Sequence, residues 1–545
     1  MKNQMKNYFK AVPKYFWILL AIIVVGIFLR TYHFRDWLQF SPDEARDATL
    51  IGAAIEGKAA LPALGPQAGN TQFYLGPFYY QGEYVAALLF GNSPDKIAYF
   101  DLFFSILAIP LLFVFLRKYF STRMALFLSA LLSVSYFAIK ISRFASNPNS
   151  IPFFALIFLL GLLGLLEKEN NKKYFWASLV GIGMGVGIQL HALLFLIMPV
   201  VALGVCGYLI AKKNLSWKSF FLVVFFFLLA NYGQLAYEFK SGGANVGQLF
   251  KGASSESNVG GSALLRNVSL VASCQAQANI NIVFSPIDME KCGAIFNVAK
   301  SFKSNKLVPA GPKVNGGLFI LEMIVTLIFS FGGYALLWRY LRKEKDEQKR
   351  NFLGLFVFYS LVSWAVLLPV ASQIEVRYFS ILFFVPFVLL GLWLNFLFEK
   401  KKQAEKNIFL GLAIFFLVAN VWMLLALARP YLEQRASDVN NSILGETQNM
   451  LAYLMANADQ QKLVYIDGQT FYLKRFLKPF DYLAQQSGAT MVRPGNKQPF
   501  ASGTKFFFID GSKAKPTEIG KTLNSDLVLG YQKFSNIIIY TLIKK

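Results

Sequence analysis

Apolar runs long enough to cross a bilayer recur along this chain, and no other feature narrows its fold as much. A spanning helix needs about 20 mostly apolar residues. Such runs lie at about 15–29, 97–116, 124–141, 150–166, 174–190, 192–211, 219–237, 316–338, 353–370, 378–398 and 407–427. They predict about eleven transmembrane helices. Of 545 residues, 55% are hydrophobic and only 15% charged, against about 25% charged in soluble domains. An ordinary soluble enzyme, a disordered chain and a fibre are thereby excluded.

The chain carries 54 Lys and Arg against 30 Asp and Glu, a net charge of +24. Nucleic acid is one reading of such an excess, but the positions of the charges argue against it. Lys2, Lys6, Lys10 and Lys14 precede the first run, and no small-residue cleavage site follows, so the run reads as an uncleaved first span. Alternate short connections are basic: Arg117, Lys118 and Arg123; Lys168, Lys172 and Lys173; Lys212, Lys213 and Lys218; 339–350; and 400–406. All fall on the side of the N-terminus, which the positive-inside rule places in the cytoplasm. The bilayer, not nucleic acid, explains the charge.

Three segments then lie outside the cytoplasm: a first loop at 35–96, a second at 239–315 and a tail at 428–545. The membrane domain is 1–427. The tail alternates strand-like runs at 462–467, 505–510 and 536–543 with helix-like stretches such as 442–456, which predicts a small α/β domain. The fold class is thus a polytopic α-helical membrane protein with a small extracytoplasmic α/β tail. Cys274 and Cys292 share the second loop, where a disulfide can form, and Cys206 reads as a buried apolar residue.

The first loop opens with Ser41-Pro42-Asp43-Glu44-Ala45-Arg46-Asp47. Ser41 is a good N-cap, Pro42 suits the first helical position, and Glu44 stands where a capping box needs it. A helix should run from here to about Glu56 and stop at Gly57. Asp43, Glu44 and Asp47 then sit on or near one face. Dipole-favoured capping acids are one reading. A general base working on a hydroxyl acceptor is the other, and the whole constellation favours it.

This acidic pair after the first span resembles the signature of GT-C glycosyltransferases, which take a sugar from a polyprenyl-phosphate carrier. The branch it resembles most holds the protein O-mannosyltransferases and the aminoarabinose transferases of lipid A. Three further stretches fit: Gly76-Pro77-Phe78-Tyr79-Tyr80, Ser142-Arg143-Phe144-Ala145-Ser146-Asn147-Pro148-Asn149, and Glu375-Val376-Arg377-Tyr378-Phe379. The resemblance spans about residues 15–400. It implies that Asp43 is the catalytic base or acceptor-positioning carboxylate, that Glu44 supports it, and that Arg377 contacts the carrier phosphate. It departs at Leu75-Gly76, where the aminoarabinose transferases have an acidic and a basic residue. That departure counts against their substrate and their metal site.

Other residues carry two readings each. Arg377 can grip a phosphate through two parallel hydrogen bonds, or snorkel to the interface with Tyr378 as an aromatic belt. Arg143 can hold phosphate or pair with a first-loop acid. Tyr79, Tyr80 and their aromatic neighbours can stack on a sugar or form a belt, and Glu83 is a further acid among them. His191 can be a substrate ligand or a hydrogen-bonded structural residue. No cofactor is required by the sequence. A divalent cation at Asp43 and Glu44 stays open, since two carboxylates without a histidine do not establish one.

The function expected is inverting transfer from a polyprenyl-phosphate-sugar to a hydroxyl of a protein, glycolipid or cell-wall polymer. A lipid-linked-sugar flippase or transporter is the rival. Its ionisable residues should lie at mid-membrane depth, which directs attention to Asp101 and Glu322.

Overall fold

The computed structural model describes residues 13–69, 71–168, 171–255, 261–284, 316–372, 374–398, 403–433, 442–459, 462–494, 500–511 and 526–545. Among them, seven helices are long and apolar enough to cross a bilayer: 14–31, 94–116, 147–166, 192–211, 324–343, 347–367 and 414–432. Two bent pairs, 217–241 at 71° and 376–398 at 69°, raise the number to nine if each is one span. The two remaining expected spans fall short for separate reasons. The run at 124–141 is broken at Ser135 into helices Thr122–Val134 and Tyr136–Ile141. The helix Lys173–Leu190 is complete, but Gly181, Gly183, Gly185, Gly187 and Gln189 make it less apolar.

Those glycines have a packing use. A Cβ on Gly183 would stand 2.7 Å from the Phe158 backbone nitrogen. Lys173–Leu190 can therefore lie against Ile151–Leu166 with the backbones nearly touching, the small-residue solution to helix packing in lipid.

The segment expected as the second loop is partly helical. Its helix Gly261–Val283 packs among the spans, burying Val271, Cys274, Ala278 and Ile282. Gln275 Nε2 donates to the Tyr334 hydroxyl at 2.6 Å, and Asn279 Nδ2 to Ser330 Oγ at 3.0 Å. These partners let polar side chains enter the bundle, and the same polar side chains hide the helix from a hydropathy reading. Cys274 is disulfide-bonded and Cys206 is free. Cys292 and the rest of 285–315 lie outside the described residues, as does the side chain of Glu322.

The tail forms a five-stranded sheet from β1 (Leu463–Gly468), β2 (Thr490–Val492), β3 (Lys505–Gly511), β4 (Leu527–Phe534) and β5 (Ile537–Ile543). The order is β2-β1-β3-β5-β4, parallel across β2-β1-β3 and antiparallel beyond. The three expected strands are β1, β3 and β5. The two others are the edge strands, of which β2 has three residues and β4 is largely exposed, so neither carries a strong apolar pattern.

The tail and the first loop share one core. Phe34, Leu38, Phe40, Ala48 and Ile51 of the loop belong to the same buried cluster as Leu444, Phe476, Phe480 and Ile509 of the tail. The backbones are stitched as well. The Phe40 N–H donates to the Ser442 carbonyl at 2.8 Å, and the Leu444 N–H to the Leu38 carbonyl at 2.8 Å.

Candidate functional site

The acidic helix forms as Pro42–Ile55, and its capping box is closed. Glu44 Oε2 accepts the Ser41 backbone N–H at 2.8 Å and the Ser41 hydroxyl. Glu44 thus turns back toward the cap. Burial pushes its carboxyl up to about 7, against the opposing pull of the Ser41 hydrogen bonds.

Asp43 and Asp47 share a partner that sequence reasoning passed over. Arg46 grips Asp47 through Nε–Oδ1 at 2.8 Å and Nη2–Oδ2 at 3.1 Å, while Nη1 reaches Asp43 Oδ1 at 3.0 Å. One guanidinium, planar and rigid, therefore sets the direction of both carboxylates. The signal was present: a lone arginine inside the acidic motif, at i+3 from Asp43 and next to Asp47. Asp43 is exposed, with its side chain 77% accessible, and Asp47 is buried. Burial raises the Asp47 pKa, and the Arg46 and Tyr80 hydrogen bonds oppose the rise. The Tyr80 hydroxyl donates to Asp47 Oδ1 at 3.0 Å.

Tyr79 is fully buried against Tyr80 and Phe100. Tyr79 and Tyr80 therefore brace the acidic helix, and neither offers an open face to a sugar. The segment before them docks on Gln189. The Phe78 N–H donates to Gln189 Oε1 at 3.1 Å, and Gln189 Nε2 donates to the carbonyls of Gly185 at 2.9 Å and Ala230 at 2.8 Å.

Two residues beyond Gln189, His191 caps the next helix, its Nδ1 accepting the Leu193 N–H at 3.2 Å. Its ring meets Tyr378 edge to face at 5.3 Å between centroids. Burial, then the nearby Arg377 charge, lowers the His191 pKa to about 4, so the ring is neutral at pH 7. Arg377 is exposed, pairs with Glu375 at 2.8 Å and lies over the Tyr378 ring. Asn147 joins this group, donating to the Leu190 carbonyl at 2.6 Å. The structure thus forms two groups: Asp43, Glu44, Arg46, Asp47 and Tyr80 in one, and His191, Arg377 and Tyr378 in the other. The segment from Gly76 to Tyr80 supplies Tyr80 to the first group and docks on Gln189, two residues before His191 of the second.

Arg143 belongs to neither. Its Nη2 donates to the carbonyls of Leu29 at 2.9 Å and Tyr32 at 2.6 Å, and its guanidinium lies over Trp37. It ties down the end of the first span, and its partners are carbonyls, not a first-loop acid. Asp101 is in the first turn of helix Tyr99–Leu116, within the span 94–116. It accepts the Ser146 N–H at 2.9 Å and the Ser150 hydroxyl at 2.5 Å. Asp43 and Glu44 face different partners, Arg46 for the one and Ser41 for the other. Among the described residues no three His, Cys, Asp or Glu side chains converge where a metal ion could be held.

The model of the dolichyl-phosphate-mannose-protein mannosyltransferase family matches residues 83–232. No curated protein matches the chain. The fold is similar to that of ArnT from Cupriavidus metallidurans bound to undecaprenyl phosphate. That likeness has a TM-score of 0.51 at 12% identity and covers 97% of this chain and 98% of ArnT. It is also similar to the oligosaccharyltransferase AglB from Archaeoglobus fulgidus, in complex with an inhibitory peptide and a dolichol-phosphate. There the TM-score is 0.51 at 11% identity, over 92% of this chain and 69% of AglB. The chain is a multi-pass membrane protein whose fold is similar to those of ArnT and AglB.

Proposed function

We propose that this protein transfers a sugar from a polyprenyl-phosphate carrier to a hydroxyl acceptor, with inversion at the anomeric carbon. The observation that carries the reading is Asp43, exposed at the start of the acidic helix and aimed by Arg46, on a GT-C fold. The two compared structures hold undecaprenyl phosphate and a dolichol-phosphate, which supports a lipid phosphate as the donor's leaving group.

Asp43 accepts the acceptor proton as the glycosidic bond forms. A base of this kind contributes about 10²–10⁴-fold. The departing phosphate takes up the bonding electrons, and Arg377 balances its charge. Glu375 holds Arg377 until a phosphate arrives. The transition state has oxocarbenium character, as in glycoside hydrolysis. With base and leaving group on opposite sides of the sugar ring, inversion follows.

The loop and tail face the extracytoplasmic side of the plasma membrane, with the N-terminus in the cytoplasm, as the basic connections argue. Protein, glycolipid and cell-wall polymer all supply the required hydroxyl.

The test is sugar transfer by purified protein from polyprenyl-phosphate-sugars, comparing wild type with Asp43→Asn. Product formation should fall about 10²–10⁴-fold with the carrier still bound. Full activity in the variant would remove Asp43 from the mechanism. Carrier movement across liposomes without transfer, equal in both proteins, would restore the flippase.

A further inference from the structure

Glu83 is the one acid of this neighbourhood without a stated use. It lies on helix Phe78–Phe90, which is too short to span, and it is fully buried. Both carboxyl oxygens lack a hydrogen-bond partner among the described residues. With Glu44 it lines a small cavity walled by Leu38, Phe40, Ala48 and Ala145. An ionised carboxylate cannot persist there. It would need hydrogen bonds or a cation, and a buried unpaired charge is among the costliest arrangements in a protein.

The facing acids make ionisation worse: Asp47 and Glu44 from the acidic helix and Asp101 from the span behind it, with only the Tyr79 hydroxyl of its own helix pulling the other way. Asp95, on the adjoining short helix Pro94–Ile97, is bonded to Ser93 at 2.8 Å, and Lys96 turns to the Tyr99 hydroxyl at 3.3 Å. The one guanidinium in the group, Arg46, is committed to Asp47 and Asp43. Burial and the Asp47 charge accordingly hold the Glu83 carboxyl far above the usual range.

We propose that Glu83 is a positioning residue of the acidic site that works as the neutral acid. By keeping its proton it leaves the negative charge on Asp47, where Arg46 and Tyr80 bind it. The Arg46 fork then stays closed, and its third nitrogen keeps Asp43 aimed. An ionised Glu83, one helical turn from the Tyr80 whose hydroxyl holds Asp47, would compete with Asp47 for a proton, because neighbouring buried like charges each favour protonation of the other. A neutral Asp47 would loosen Arg46 and release Asp43.

The kinetic part of the test rests on the glycosyltransferase reading, and the spectroscopic part does not. The infrared spectrum of wild type at pH 7, minus that of Glu83→Gln, should contain the carbonyl stretch of a protonated carboxyl. Carboxylate bands in its place would overturn the proposal, whatever the protein's activity. In the transfer assay Glu83→Ala should lower kcat about tenfold or more, with KM for the carrier little changed. Glu83→Gln, isosteric with the neutral acid, should recover most of that loss. A Gln variant as impaired as the Ala variant, with normal melting, would show that a carboxylate is needed and sink the idea. Absence of any transfer by wild type would defeat the reading of function and leave the infrared result to decide the state of Glu83.

Discussion

His191 and Tyr378 stand edge to face, 5.3 Å apart between ring centroids, although 187 positions of sequence separate them. The contact joins the start of helix Ala192–Ala211 to the short helix Val376–Leu382. Arg377 is thereby carried on a braced turn while its own guanidinium stays open to solvent.

Arg377→Ala should weaken carrier binding more than it slows chemistry, raising KM about ten- to a hundredfold. Arg377→Lys should recover only part, because an ammonium keeps the charge and loses the planar fork. Titration of polyprenyl phosphate against both variants checks this. Equal affinity in wild type and Ala variant would assign Arg377 to the interface alone.

Gly76 is closed to any side chain. A Cβ there would stand 2.3 Å from Cγ of Gln189, and three hydrogen bonds keep Gln189 from yielding. Gly76→Ala should cost about 1–3 kcal/mol of stability and reduce transfer. Adding Gln189→Ala should relieve the clash but forfeit the docking bond to Phe78. Thermal melting of the single and double variants separates the two effects, and a neutral single variant would refute the close approach.

The Glu44 carboxyl sits near pH 7 in the folded protein, above its ordinary value of 4.5. The folded state holds this proton more tightly than the unfolded chain does. The contribution to stability is therefore complete below about 4.5 and is lost as pH rises through about 7. Wild type should lose melting temperature over that window relative to Glu44→Gln, which still suits a capping box. Parallel pH profiles for the two proteins would assign the titration elsewhere.

Phe40 comes from the first loop but is fully buried in the core shared with the tail, edge to face with Tyr482 at 5.7 Å. Phe40→Ala should cost about 3–5 kcal/mol, lower the melting temperature and expose the tail to protease. Transfer activity should fall with it, since the acidic helix rests on the same core. A tail that stays resistant to protease while activity is lost would show that loop and tail are separate units.

The sequence by itself determined the membrane character, nearly all the apolar helices, the capped acidic helix and three of the five strands. Each is local: a run length, a capping box or a strand pattern is complete within a few turns of chain. Tertiary structure decided the rest. Arg143 reads equally as a phosphate ligand or the partner of a first-loop acid, and only the tertiary structure shows its guanidinium donating to carbonyls more than 100 positions away. The helix Gly261–Val283 reads as loop because its polar residues find their partners in later helices, among them Tyr334, Ser330 and Trp364. The tail reads as an appended domain, yet its core is completed by Phe40 and its neighbours. Glu83 looks like one more interfacial acid, and only burial beside Asp47 makes it a proton holder. Side-chain chemistry is written in the sequence, but desolvation and partner choice are properties of three-dimensional neighbours.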